Sequence, residues 1–192
     1  MSPLPLTSPR VVQEILARYG LRPNKLLGQN FLVDENILYK IIAAAELGPE
    51  DTVLEIGPGI GALTGPLAER ARWVIAVEVD KGLIPVLKNN LAAYSNIKII
   101  WGDILKVAPE KLLADATASL KVVANLPYYI TSPIIMELLT GPLSLERMVV
   151  MVQREVARRL AAAPGSKDYG ILSVAVQYYT FPELITLVPR TV

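Results

Sequence analysis

Asn125-Leu126-Pro127-Tyr128 closes the apolar run Val122-Val123-Ala124 and is followed by Tyr129, Thr131, Ser132 and Pro133. The run reads as a buried strand, with Ser132 capping the next helix and Pro133 at its first position. Strand-to-helix turns of α/β proteins lie at the carboxyl edge of the sheet, where ligands bind. There the Asn125 carboxamide oxygen and a backbone carbonyl beside Pro127 can both accept hydrogen bonds from one exocyclic amine. Tyr128 can stack on the base that carries this amine. Such a cradle holds an amino nitrogen with its lone pair free for attack. The same residues also suit an ordinary Pro-containing turn with a Tyr packed on the sheet edge, and the turn alone leaves both readings open.

Glu55-Ile56-Gly57-Pro58-Gly59-Ile60-Gly61 follows an apolar run and opens a helical pattern. Its glycines let the backbone approach a ligand, and a helix N-terminus favours polar or anionic groups. Position 62 is Ala62, so the strict dinucleotide fingerprint is not met. Glu78 ends the next apolar run, about twenty residues on, where an acid can accept from two ribose hydroxyls. Asp80 competes for that role; Glu78 is preferred as nearer the strand end. Asp103 follows Gly102 after a third run and can accept from an adenine amino group, although a lone acid there also suits a helix cap. Together these residues describe a site for an adenosine-containing cofactor beside a pocket for a planar amine.

The composition narrows the chemistry. The 192 residues contain no Cys and no His, which excludes disulfides, a thiolate nucleophile, Cys/His zinc sites and histidine acid–base catalysis. No metal site is expected. A net charge of +1 confines any nucleic-acid surface to local basic patches. A dehydrogenase would need Lys or Tyr to handle a proton. A methyltransferase needs less, because an activated sulfonium requires only alignment and electrostatics from the protein. The missing histidine fits that second reading better.

These residues need a scaffold, and the apolar pattern supplies one. An apolar content of 52% suits a compact core. Apolar runs alternating with helical spacing predict a parallel α/β sheet with helices on both faces. Strands are predicted at Thr52–Ile56, Val74–Val79, Ile97–Trp101, Val122–Asn125 and Met148–Gln153, with a last one at Leu184–Val188. Helices are predicted over Val11–Tyr19, from an Asp34 cap to about Leu47, and over 62–70, 81–93, 109–115, 133–140, 153–163 and 170–179. No run reaches membrane-spanning length and no signal peptide opens the chain, so a cytoplasmic protein without membrane contact is expected.

Taken together, Leu27-Gly28-Gln29-Asn30-Phe31-Leu32, the glycine loop, Glu78, Gly102-Asp103, Asn125–Tyr128 and the run Gln153–Leu160 with Pro164-Gly165-Ser166 and Tyr169-Gly170 resemble the ribosomal RNA adenine N6,N6-dimethyltransferase family. The small-subunit branch is the better match. The sister branch, which methylates a large-subunit adenine, more typically has Ile where this chain has Leu126. A methyltransferase-like binding or assembly factor without catalysis is the other class of reading.

The resemblance implies a Rossmann-like class I methyltransferase with S-adenosylmethionine as cofactor. It places Gln29, Asn30 and Leu32 at the methionine end, Gly57 and Gly59 in the cofactor loop, Glu78 on the ribose and Asp103 at the cofactor adenine. Asn125, Leu126, Pro127 and Tyr128 would hold the target adenine, with Asn125 also against the cofactor. The implied substrate is two adjacent adenosines near the 3′ end of small-subunit rRNA in an assembling particle. Arg10, Arg18, Arg22 and Lys25, with Arg154, Arg158 and Arg159, are the candidate RNA contacts. Residues 1–25 read as a tail and helix and 26–192 as the catalytic domain. Family members continue past this point into one more strand and a small helical domain, so a monomeric catalytic domain lacking its last strand is expected, with impaired RNA methylation.

Overall fold

The computed structural model describes residues 5–24, 27–109, 112 and 120–189. Helices α1 (Pro9–Arg18) and α2 (Glu35–Ala45) precede strands β1 (Thr52–Ile56), β2 (Trp73–Glu78), β3 (Ile97–Trp101), β4 (Leu120–Asn125) and β5 (Arg147–Met151). Helices α3 (Thr64–Ala68), α4 (Leu83–Asn90), α5 (Thr131–Thr140), α6 (Arg154–Leu160) and α7 (Ile171–Tyr179) connect and follow them.

Every ladder is parallel, in the order β3-β2-β1-β4-β5. The chain builds outward from β1 to β3, then returns to the other side of β1 with β4. The carboxyl ends of β1 and β4 are therefore neighbours at the point where the winding reverses, and a crevice for ligands opens at such a point. That one topological fact brings the glycine loop beside the Asn125 turn.

Alternation along the strands sorts the two faces. Val53 and Val123 pack with α2 and α3, whereas Leu54, Ile56, Val122 and Ala124 pack with α5 and Val176 of α7. Glu55 and Asn125, in phase with Val53 and Val123, belong to the first face. A third cluster joins Val12, Ile15 and Leu16 of α1 to Ile60 and to Leu83 and Val86 of α4, so α1 is docked against the glycine-loop side of the sheet.

The five predicted strands form, within two residues at each end. Asp34 caps α2 as expected, its Oδ1 accepting the Ile37 N–H at 3.0 Å. Three expectations fail. The helix after Tyr129 starts at Thr131, after Ile130, with no side-chain cap, so Ser132 is not the cap and Pro133 is its third residue. Proline is tolerated there because the first-turn N–H groups have no helical acceptor. Leu184–Val188 forms no strand. Its backbone enters no ladder among the described residues, and Leu184, Ile185 and Leu187 are more than half exposed; an apolar run without a paired neighbour is not a strand. Residues 62–63 precede α3 as turn, which shortens the helix expected over 62–70. The helix expected over 109–115 lies largely outside the described residues, and among those described no helix is long and apolar enough to cross a membrane.

Leu54 of the central strand is fully buried. Leu54→Ala should cost roughly 2–5 kcal/mol, read as a lowered urea midpoint; a loss below about 1 kcal/mol would mean that the core collapses around the cavity.

Candidate active site

Three glycines shape the loop after β1. Gly57, Gly59 and Gly61 have φ of 69°, 63° and 93°, a region that side chains avoid. The Gly57 N–H donates to the Val77 carbonyl at 3.0 Å, tying the loop to β2. A Cβ on Gly59 would lie 3.2 Å from the Phe31 ring, so position 59 needs glycine for space as well as for conformation.

Glu78 supports the same loop from the end of β2. It is 4% exposed; its Oε2 accepts the Gly59 N–H at 3.1 Å and its Oε1 accepts the Asp80 N–H at 2.8 Å. Burial pushes its carboxyl above the usual range, against the pull of those N–H groups. Asp80 does different work. Its Oδ1 accepts the Gly82 N–H at 2.9 Å and its Oδ2 accepts from the Gln29 amide at 2.8 Å. The two acids have different partners: Asp80 anchors the 27–33 segment, and Glu78 lies under the glycine loop. Asp103 accepts the Leu105 N–H at 3.1 Å, and its other oxygen stands 3.6 Å from Lys106 Nζ.

The segment containing Gln29, Asn30 and Leu32 closes the site from above. Gln29 uses both ends of its amide, since its Oε1 also accepts the Asn24 N–H at 2.8 Å. Leu32 points into the core beside α2, which leaves only its backbone for a ligand. Gly28, at φ 58°, presses on the Asn125 turn: a Cβ there would sit 3.1 Å from the Tyr128 nitrogen. On the α1 side of this segment a groove of about 800 Å³ is lined by Leu16, Arg22, Asn30 and Phe31 among others. Glu78, Asp103 and Asn125 do not line it, so that groove flanks the site.

Asn125 donates its Nδ2–H to the Asn30 carbonyl at 2.7 Å, and its Oδ1 is buried without a partner. The Pro127 carbonyl already accepts from Thr131 Oγ1 at 3.0 Å and from the Ile130 N–H at 3.3 Å. The Leu126 carbonyl accepts from none of the described residues, which makes it the free backbone acceptor next to Pro127. Tyr128 is partly buried, and Tyr129 is 51% exposed with its phenol pushed up by burial and by the charges of Asp103 and Glu78.

The acceptors at the ends of β2 and β3, the open-φ glycines and the unpartnered Asn125 oxygen suit an adenosine-bearing cationic cofactor and an amine beside it. Sequence reasoning assigned no role to Glu55. It is 2% exposed, its Oε2 has no partner, and burial, reinforced by Glu78, pushes its carboxyl up to about 8. Strand alternation was the available signal, because it places Glu55 on the face of Asn125. Among the described residues no three His, Cys, Asp or Glu side chains cluster as metal ligands. The basic candidates are exposed: Arg10 pairs with Glu14 at 2.7 Å, Arg18 ends α1, Arg22 lines the groove, and Arg154, Arg158 and Arg159 ride on α6. Lys25 lies outside the described residues.

A family model described as ribosomal RNA adenine dimethylase matches residues 20–192. The chain is 54% identical over 190 residues to the ribosomal RNA small subunit methyltransferase A of Geobacillus thermodenitrificans, covering 97% of this chain and 65% of that protein. It thus spans about two thirds of the length of such relatives. Among solved structures, a dimethyladenosine transferase from Plasmodium falciparum superposes with a TM-score of 0.67 at 34% identity, over 75% of this chain and 50% of that one. The 23S rRNA methyltransferase ErmE gives 0.63 at 36% identity, over 71% and 53%.

The buried Glu55 carboxyl sets a pH dependence of stability. Its folded pKa of about 8 lies above the ordinary 4.5, so between these values the folded state binds more protons than the unfolded one. The contribution is complete below the unfolded pKa and is lost as pH rises through the folded one. Urea unfolding should show stability falling from pH 5.5 to pH 8, by at most about 1.4 kcal/mol per pH unit from this group. Glu55→Gln should flatten that slope; an unchanged slope would show that Glu55 is ionised in the fold.

Proposed function

The chain belongs to the ribosomal RNA adenine dimethylase family, and from that premise we propose that it transfers methyl groups from S-adenosylmethionine to N6 of adenosine in ribosomal RNA. The substrate we infer is a pair of adjacent adenosines near the 3′ end of small-subunit rRNA in an assembling particle, each converted to N6,N6-dimethyladenosine. The single observation that carries this reading is the unpartnered Asn125 Oδ1 beside the free Leu126 carbonyl. Two acceptors on one strand-to-helix turn match the two N–H bonds of an exocyclic amine.

When bound, the cofactor supplies a methyl group already activated by a sulfonium. This chain's residues then bind and orient. Glu78 accepts from ribose hydroxyls, Asp103 accepts from the cofactor's adenine amine, and the 57–59 backbone admits the cofactor closely. The Asn30 and Leu32 backbones border its methionine end, with Gln29 holding that segment through Asp80 and Asn24. Asn125 Oδ1 and the Leu126 carbonyl would accept the two N–H groups of the target amine, drawing its lone pair out of conjugation with the ring and leaving it free as a nucleophile. Tyr128 stacks on the target base, with Pro127 fixing the turn. The proton leaves to solvent after transfer, so no histidine is required.

Residues 26–192 act as the catalytic unit on this reading, and 1–25 contribute α1 to its wall. Arg18 at the end of α1 and Arg22 on the groove, with Arg154, Arg158 and Arg159 on α6, offer positive charge to RNA phosphates. Kinship with a 23S rRNA methyltransferase keeps a large-subunit target as the second reading.

Labelled S-adenosylmethionine should transfer label to small ribosomal subunits that lack the modification, and nuclease digestion should yield N6,N6-dimethyladenosine. Label confined to large-subunit RNA would establish the second reading; none on either RNA would refute the proposal. Asn125→Ala should lower transfer by at least about 100-fold while the cofactor Kd changes little, and surviving activity would refute the amine cradle. Replacing Arg18 and Arg22 by Gln should weaken RNA binding across sequences and reduce the slope of log K against log salt by roughly 1–2.

A further inference from the structure

Leu21, Gln29, Asn30 and Phe31, from the chain between α1 and α2, meet the carboxyl edge of the sheet at four points. Leu21 packs on Gly82, where a Cβ would lie 2.9 Å from its Cδ2, and the Phe31 ring packs on Gly59. The Asn30 carbonyl accepts from the Asn125 amide at 2.7 Å. The Gln29 amide donates to Asp80 Oδ2 at 2.8 Å, in a part-buried position. Alone of the four, this last contact ends on a carboxylate, and such a bond is roughly twice as strong as a neutral one.

Both partners of the Gln29–Asp80 bond are themselves fixed. Asp80 Oδ1 accepts the Gly82 N–H at 2.9 Å, and the Asp80 N–H donates to Glu78 Oε1 at 2.8 Å. Gln29 Oε1 accepts the Asn24 N–H at 2.8 Å, so its amide has a single orientation, Nε2 toward the carboxylate and Oε1 toward the backbone donor. Residues 28–30 form one unit, because Asn30 Nδ2 donates back to the Gly28 carbonyl at 2.9 Å. A displacement of Gln29 therefore carries with it the Asn30 carbonyl that holds Asn125, and Gly28, which abuts the Tyr128 nitrogen.

We propose that Gln29 and Asp80 are positioning residues for methyl transfer: their bond holds the Asn30 carbonyl where it selects the orientation of the Asn125 carboxamide. This rests on the amine-cradle reading of Asn125 above. The two ends of a carboxamide have nearly the same shape and opposite hydrogen-bonding character. With Asn30 in place, the NH₂ is engaged and the oxygen is left for the target amine. With Asn30 displaced, the amide is free to turn over, and its NH₂ then meets the N–H groups of the target, donor against donor. Neither Gln29 nor Asp80 needs to touch the substrate for this; both act through Asn30, from 95 positions away from the amide that they orient.

A swap of the pair tests this. Gln29→Glu sets two carboxylates against each other, and adding Asp80→Asn restores a donor at position 80 facing an acceptor at position 29. Side-chain amide exchange with water, followed by ¹⁵N NMR with the Asn125 signal identified by its loss in Asn125→Ala, reports on the bond to Asn30. In Gln29→Glu the Asn125 amide should exchange faster by roughly 10-fold or more, and in the double variant it should return toward the unaltered rate. At saturating cofactor and RNA, kcat should fall roughly 10- to 100-fold in Gln29→Glu and recover in the double variant, while the urea midpoint stays near that of the unaltered chain. Unchanged amide exchange in Gln29→Glu would overturn the inference, as would a double variant that restores neither quantity. A fall in kcat that only tracks a lowered urea midpoint would give the pair a structural role and overturn it too. Should Gln29→Glu not fold, Gln29→Ala removes the bond without opposing charges and is held to the same single-variant criteria. No methyl transfer by the unaltered chain would overturn the proposed function instead, and amide exchange would then decide the positioning by itself.

Discussion

The Asn125 amide donates to the Asn30 carbonyl at 2.7 Å, and the geometry of the site depends on this bond. A backbone carbonyl can only accept, so the carboxamide must turn its NH₂ toward Asn30 and its oxygen the other way. That oxygen is then left as a buried acceptor without a partner. The bond also fixes what lies above. It joins the segment after α1 to the end of β4, and Gly28 packs against the Tyr128 backbone because no side chain intervenes. From the other side Gln29 ties that segment to Asp80 past the end of β2. One short stretch of chain is thus stitched to two strand ends at once.

The sheet order makes these bonds reachable. In the order β3-β2-β1-β4-β5 the chain reverses its winding beside β1, and parallel pairing puts every strand's carboxyl end at one edge. Gly57, Glu78, Asp103 and Asn125 come from four different strands but gather along that edge. The apolar clusters on the two sheet faces hold the strands in register, and they are also the low-dielectric surroundings that raise the pKa values of Glu55 and Glu78. Burial that stabilises the fold therefore also raises the pKa of two acids beneath the loop. Such an arrangement favours a cationic ligand over an anionic one, which accords with a sulfonium cofactor.

Much of this was legible in the chain itself. Apolar runs of strand length are set by local composition, so β1 to β5 could be read off Thr52–Ile56 and its counterparts. Glycines at 57, 59 and 61 announce a turn through their own backbone freedom. The Asn-Leu-Pro-Tyr turn carries an amide and an aromatic ring by residue type, although the turn alone left an ordinary structural role open. Even the absence of histidine constrained the reaction class before any geometry was known. These features depend on residues within a few positions of one another.

Tertiary structure decided whatever depends on partners distant in sequence. Leu184–Val188 has the composition of a strand and none of the pairing, because a ladder needs a neighbour that composition does not supply. Pro133 has the rigidity of a first helical residue, yet Thr131 begins the helix with its hydroxyl on the Pro127 carbonyl. The roles of Glu78 and Asp80 are separated by Gln29, 51 positions from Asp80, and the rotamer of Asn125 by Asn30, 95 positions away. Glu55 shows the limit most clearly. Its residue type marks an acid, but only enclosure by the sheet, the helix beginning at Thr64 and the neighbouring Glu78 makes it a buried acid without a cation. Local sequence determined which groups the chain carries; the folded environment determined their partners and their charge.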